Sequence, residues 1–216
     1  LSSSSPQGPD VSKRVVVTGA TGDAGRAVST ALLAAGHRVV AVGSDEGRLE
    51  TVDATARFVC DLTDAASTLA LATRVREKVG TPDALIHLVG GWRGGHETAD
   101  WDWLEPRILT TLRNATLAFH DDLTASSAGR LVVIGSTSAA SPTWSGANYA
   151  TLKTAANAWT QAIASGWRKV GTAAAVTLLV KSIGSDGTSA ETLASGIAEL
   201  LGRDATAING AMLDLS

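Results

Sequence analysis

Tyr149, the single tyrosine of the chain, is followed four residues later by Lys153 in the segment WSGANYATLKTAANAW (144–159). Residues at i and i+4 share a helix face, so the phenol and the ammonium point the same way. A free tyrosine has a pKa of about 10 and is a poor acid–base group at neutral pH. A nearby ammonium favours the phenolate and lowers that value. Such a pair can pass a proton to or from a substrate oxygen or nitrogen. Taken alone, the spacing reads as an amphipathic helix with an exposed lysine. Ser136, thirteen residues before Tyr149, closes an apolar run and offers a hydroxyl that can hold the same substrate atom in line.

A second group of residues suits a different task. The stretch VVVTGATGDAG (15–25) sets Gly19, Gly22 and Gly25 between an apolar run and a helix-forming run. Glycines there allow a tight turn and close approach of the backbone to a pyrophosphate, with helix N-terminal amides facing the phosphates. Thr21 and Ala24 belong to the same turn. Glycines alone are weak evidence, but at the first strand-to-helix turn of a βαβ unit they are strong.

Both groups need elements to hold them. Short apolar runs at 14–20, 37–43, 56–62, 83–91, 129–136, 173–180 and 208–216 read as strands. Helical segments alternate with them at 24–36, 66–80, roughly 98–124, 147–167 and 189–202. The strand runs are continuously apolar, as expected when both faces of a parallel sheet are covered. Alternating strands and helices imply right-handed crossovers and an open sheet. The expected fold is a three-layer, doubly wound α/β domain over 13–216, with a mostly parallel seven-stranded sheet. Residues 1–12 read as a disordered tail or an expression remnant.

Taken in order, Thr18-Gly19, Gly25, Asp61, Gly90, Ser136, Tyr149 and Lys153 resemble the short-chain dehydrogenase/reductase family, over residues 13 to 216. The resemblance implies a Rossmann fold and a nicotinamide cofactor. It implies that Tyr149 is the acid–base, that Lys153 tunes it and holds the nicotinamide ribose, and that Ser136 orients the substrate. Asp61 and Leu62 would hold the adenine. The backbone at Val89, Gly90 and Gly91 would lie against the ribose, and Ile183 would meet the carboxamide. An acidic residue that selects NAD is expected at Gly43 and is missing there. Ser44 follows and can bond a 2′-phosphate, with Arg48 or Arg14 supplying charge, so NADP(H) is favoured over NAD(H). A shift of register would instead put Asp45 on the ribose.

The chain departs from the family at several points. The relay asparagine would fall at Leu109; Asn114 is the nearest candidate, but five helical residues turn it about 140° away. His87 reads as a strand residue with a satisfied ring. The segment 182–190 after the sixth strand is short for a lid, which implies an open pocket. GGWRGG (90–95) resembles the GGWxGG stretch of dihydropteridine reductases. Trp92 and Trp144 flank the expected cleft, where they either stack on a flat substrate or fill gaps. Trp159 and Trp167 are assigned to packing.

Composition narrows the classes. A net charge of −3 argues against nucleic acid or an anionic membrane as the partner. No apolar run reaches the ~18–20 residues of a membrane span, and the polar start shows no signal sequence. Cys60, the only cysteine, excludes an internal disulfide and argues against a zinc cluster; no metal site is read. A cytoplasmic homodimer or homotetramer with a small-molecule substrate is expected. The function expected is an NAD(P)H-dependent oxidoreductase that reduces a C=O or C=N bond in a small, cyclic substrate. The alternatives are a dihydropteridine reductase-like enzyme using NADH, and a non-catalytic NAD(P)-binding sensor or partner subunit.

Overall fold

The apolar runs form seven strands: β1 (Arg14–Thr18), β2 (Arg38–Gly43), β3 (Ala56–Val59), β4 (Ala84–His87), β5 (Arg130–Ser136), β6 (Ala174–Val180) and β7 (Met212–Asp214). The computed structural model describes residues 12–184 and 186–216. All neighbouring strands run parallel, in the order β3-β2-β1-β4-β5-β6-β7. Successive residues of one strand serve opposite cores. Val16, Leu85 and Leu131 pack on one side with Phe119, Leu152 and Trp167. Val15, Val17, Ile86 and Val132 pack on the other with Leu32 and Ile197. Strands sandwiched in this way must be apolar at every position, which is the pattern the sequence carries.

The covering helices are α1 (Asp23–Ala34), α2 (Glu46–Glu50), α3 (Ala65–Val79), α4 (Thr98–Glu105), α5 (Thr111–Ala125), α6 (Ala147–Trp167), α7 (Ala190–Gly202) and α8 (Ala205–Ile208). Helix α6 spans the expected residues. Trp159 and Trp167 fasten it to α5, their indole N–H groups donating to Thr116 Oγ1 at 2.9 Å and Thr124 Oγ1 at 2.8 Å. Helix α1 stops where Gly36 takes a left-handed φ of 84°, as its position after the apolar run implies.

Four expectations need correction. β4 ends at His87 rather than 91, because its neighbour β1 ends at Thr18, the partner of His87. Residues 88–97 are a loop. The helix expected over 98–124 is two helices joined by a π-turn, Pro106–Thr110. Proline has no N–H for an ordinary helical bond, and the Thr111 N–H reaches back to the Pro106 carbonyl. The last run, expected as strand over 208–216, narrows to β7, and its first residue ends α8, a helical turn started by the Asp204 carboxylate, which accepts from the N–H groups of Thr206 and Ala207. The short α2 is an element the sequence pattern does not announce. The tail assigned to residues 1–12 lies outside the described residues up to 11, and the Ser12 hydroxyl donates to the Gly36 carbonyl at 2.7 Å. Among the described residues no helix is long and apolar enough to cross a membrane.

Candidate active site

Strand order reverses at β1, between β2 and β4, and a cleft of about 610 Å³ opens there at the carboxyl ends of the strands. Open α/β sheets bind ligands at such a reversal, and the volume is in the range of small-molecule sites. Gly19, Thr21 and Gly22 form one wall, with Ser44 and Arg48 beyond the end of β2. Asp61, Leu62 and Thr63 follow β3, and Leu88, Val89 and Gly90 follow β4.

The glycine turn is closely fitted. Gly19 has φ of 71°, and a Cβ there would lie 2.9 Å from Leu88 C and Val89 N. A Cβ on Gly25 would lie 2.6 Å from Ala20 Cα, and nearer still to the Gly19 carbonyl oxygen. The turn therefore folds back onto the first turn of α1. Gly22 caps α1 without any side-chain acceptor, which leaves first-turn amides for an anion. These features fit a dinucleotide phosphate. At Gly90 nothing lies within 4 Å of an added Cβ, so the wall there is open.

The end of β2 leads into both Ser44 and Asp45. The strand ends at Gly43 without a register shift. The Asp45 Oδ1 accepts from the Arg48 N–H at 2.8 Å and caps α2. An added Cβ at Gly43 would meet Thr21 Cγ2 at 2.9 Å. Arg48 lines the cleft and donates to the Thr21 carbonyl at 3.0 Å. Arg14, the other cation considered, lies at the opposite end of β1, paired with Asp83 at 3.1 Å.

Ser136, Tyr149 and Lys153 converge around the end of β5, the strand next to β4, outside the residues that line this cleft. Ser136 ends β5 and is almost fully buried. Its hydroxyl accepts from the Ser138 N–H at 3.2 Å and is close enough to the Tyr149 phenol to favour the ionised form. The Lys153 ammonium donates to the Ile134 carbonyl at 2.8 Å and lies 5.8 Å from the centre of the Tyr149 ring. Burial pushes the Lys153 pKa down to about 8. The Tyr149 pKa moves opposite to the sequence expectation: burial raises it, and the Ser136 hydrogen bond offsets this only in part. The ammonium is committed to a strand carbonyl, so desolvation dominates the phenol. The Tyr149 proton is therefore held in place at neutral pH.

His87 has the satisfied ring expected of it. Nδ1 lies 2.9 Å from Thr18 Oγ1 and Nε2 3.4 Å from Thr111 Oγ1. Thr111 spends its own proton on the Arg107 carbonyl at 2.8 Å. The arrangement closes with Thr18 donating to Nδ1 and the Nε2–H donating to Thr111. Burial, and then the Lys153 charge, bring the His87 pKa down to about 3, so the ring stays neutral. The Asn114 amide donates to the Leu62 carbonyl at 2.9 Å and the Thr63 carbonyl at 3.1 Å, bracing the loop that carries Asp61. Leu109 packs in the core.

Other predicted positions lie apart from the cleft wall. Ala24 and Gly25 sit behind it in the first turn of α1. Gly91 faces Trp103, whose Cη2 would be 2.8 Å from an added Cβ. Ile183, 43% exposed, forms a bridge with Thr188 in the loop after β6. Pro106, Arg107 and Thr111 line the cleft although no sequence motif puts them there. Pro106 within a helical run is the available signal, since proline marks helix irregularity.

Fold and site together define a class: a doubly wound Rossmann domain with a glycine turn at its switch point and a serine–tyrosine–lysine cluster beside it. The sequence model described as short chain dehydrogenase matches residues 13–189, and the chain belongs to that family. It is 28% identical over 163 residues to a 2,3-dihydro-2,3-dihydroxybenzoate dehydrogenase of Bacillus subtilis, covering 70% of this chain and 62% of that protein. It is 30% identical over 165 residues to a 3beta-hydroxysteroid dehydrogenase of Mediterraneibacter gnavus, covering 70% of this chain and 59% of that one. The match thus spans about three fifths of the length of these curated relatives. Among solved structures, an actinorhodin polyketide ketoreductase with NADPH superposes with a TM-score of 0.84 at 20% identity, covering 94% of this chain and 95% of that one. An NAD+-bound xylitol dehydrogenase superposes at 0.83 and 19% identity, covering 94% and 97%. At these identities the structural likeness is one of fold.

Proposed function

We propose that the chain is an NAD(P)H-dependent oxidoreductase that reduces a C=O or C=N bond in a small, cyclic substrate. The observation that carries this reading is the convergence of Ser136, Tyr149 and Lys153 around the end of β5, the neighbour of β4, whose following loop lines the glycine-built cleft. The dehydrogenase and ketoreductase names of its relatives support it. A bound nicotinamide would supply the hydride. The glycine turn would hold the pyrophosphate through backbone amides, and Asp61 and Leu62 would border the adenine. Ser136 would donate a hydrogen bond to the substrate oxygen or nitrogen. Tyr149 would give its phenolic proton to that atom as the carbon is reduced, and solvent would return the proton. A phenol kept protonated by burial suits the reducing direction. Lys153, as an ammonium, would stabilise the phenolate left behind and hold the ribose. A homo-oligomer belongs to the same proposal, supported by the exposed Trp101 and Leu117 on α4 and α5.

NADPH is the proposed cofactor. No carboxylate stands at the end of β2, and Ser44 and Arg48 border the cleft there. The test is a pair of titrations with NADPH and NADH, read by quenching of tryptophan emission, followed by assay on cyclic ketones and imines. Removing a hydrogen bond to a charged group costs about 1.5–3 kcal/mol, so Arg48→Ala is expected to weaken NADPH binding about 10–100-fold. NADH affinity is expected to change little. Equal loss for both cofactors would reject the Arg48 assignment.

The Lys153 pKa sets a pH limb. The ammonium is charged below about 8 and loses its proton above it. kcat/KM is therefore expected to fall as pH rises through about 8, and Lys153→Arg is expected to lose that limb. The sign for stability is opposite. A lysine whose folded pKa lies below its unfolded value penalises the fold at neutral pH, and the penalty is relieved as pH rises beyond about 8. His87 contributes no limb near its ordinary value, since it stays neutral. A pH–rate profile without a fall above pH 8 would remove Lys153 from the proton chemistry.

A further inference from the structure

Two loops meet at the start of α6, the helix that carries Tyr149. One leaves β4 over 88–97, and the other leaves β5 over 137–146. The Gly95 N–H donates to the Ser145 carbonyl at 2.6 Å, and the Asn148 amide donates to the Glu97 carbonyl at 2.8 Å. Gly95 has φ of 117°, and Asp100 fills the space a Cβ would need, so the junction requires glycine. The result is a strap that runs directly into the first turn of α6, one residue before Tyr149.

The strap carries the two most exposed large apolar side chains among the described residues, Trp92 at 72% and Trp144 at 74%. Trp144 is not loose. The His96 ring stacks on one face, with centroids 4.3 Å apart and planes 27° from parallel. Trp92 lies over Gly94, its Cη2 3.4 Å from an added Cβ there, and the same point is 3.5 Å from the Ser145 carbonyl. Both indoles therefore stand on the same pair of tied loops. The neighbouring charges are engaged elsewhere. The Arg93 guanidinium stands 3.8 Å from Asp100 and over the Trp103 ring, and His96 lies 3.4 Å from Glu97. Exposed indoles on braced loops offer flat apolar faces on which a flat ring can stack.

We propose that Trp144, backed by His96 and joined by Trp92, forms a stacking ledge for a flat conjugated ring of the substrate, with its carbonyl or imine turned toward Ser136 and Tyr149. The substrate class is planar cyclic carbonyl and imine compounds, and this rests on the oxidoreductase reading above. Isatin serves as the planar probe and ethyl acetoacetate as the acyclic one, each assayed with NADPH. Trp144→Ala, and Trp92→Ala beside it, are expected to lower the isatin-to-acetoacetate ratio of kcat/KM about tenfold, chiefly through KM for isatin. Trp144→Phe is expected to restore most of the ratio. Because both side chains are exposed, thermal melting of the variants is expected to match the parent chain.

An unchanged ratio would overturn the ledge, whatever happens to total activity. Calorimetric titration of the NADPH-loaded protein with isatin separates this failure from that of the reading beneath it. Binding that is lost in Trp144→Ala, without turnover in the parent chain, would keep the ledge and reject the oxidoreductase. No binding in the parent chain would reject the ledge. Loss of self-association in Trp144→Ala with an unchanged ratio would make the surface a contact between copies, and would also overturn the proposal.

Discussion

Replacing Tyr149 with phenylalanine is expected to lower turnover by about 10²–10⁴-fold, the usual range for loss of a positioned proton donor, while NADPH binds nearly as before. The exchange removes one oxygen and keeps the ring that packs against the core cluster. Lys153 retains its bond to the Ile134 carbonyl, and the glycine turn lies on other strands. The loss should therefore fall on the chemical step alone. Single-turnover hydride transfer, measured beside a cofactor titration, separates the two. Retained turnover would reject Tyr149 as the donor. Lost cofactor binding would mean that the hydroxyl is part of the nucleotide site.

Gly25→Ala is expected to weaken NADPH binding about a hundredfold or more. The added Cβ would lie 2.6 Å from Ala20 Cα and closer to the Gly19 carbonyl oxygen. Both are backbone atoms, so no side chain can swing aside. The turn must open, and the amides that face the phosphates move with it. Stability gives an independent sign. Alanine in a helix is favoured over glycine by about 1 kcal/mol, so the variant would be stabilised if the space were free. Overpacking instead costs about 1–3 kcal/mol, and a lower melting temperature is expected. Gly22→Ala is the control for stability, because its added Cβ meets only the Gly19 carbonyl oxygen at 3.6 Å, an ordinary contact. A Gly25→Ala variant that melts higher than the parent chain would show that the turn does not close on α1 as described.

Much of this site is legible in the amino-acid sequence, because its logic is local. Tyr149 and Lys153 share a face through helical geometry, and α6 has the expected bounds. Gly19, Gly22 and Gly25 mark a strand-to-helix turn by spacing alone. Continuous apolar runs announce strands covered on both faces, and the parallel sheet follows from their alternation with helices. The place of His87 in a strand implies a satisfied ring, and Thr18 and Thr111 provide the partners.

What escapes the sequence depends on residues far apart in the chain. Asn114 braces Leu62 and Thr63 across some fifty positions, and no local pattern marks it. Asp45 is open to two roles by sequence; the end of β2 makes it a helix cap and leaves Arg48 at the cleft. The Tyr149 proton is the clearest case. Its i+4 lysine argues for a lowered pKa, but burial depends on every element packed around the phenol, and burial raises it against the opposing Ser136 hydroxyl. The stacked pair His96 and Trp144 likewise exists only because two loops from neighbouring strands are tied together. The sequence by itself determined the fold class and the glycine turn, through short-range sterics and hydrophobic period, and its ordered motifs named the catalytic candidates through their resemblance to the family. Only the tertiary structure decided which charges are occupied, which proton is held and which indoles stay exposed. Those depend on desolvation and long-range contact, which no short stretch of chain encodes.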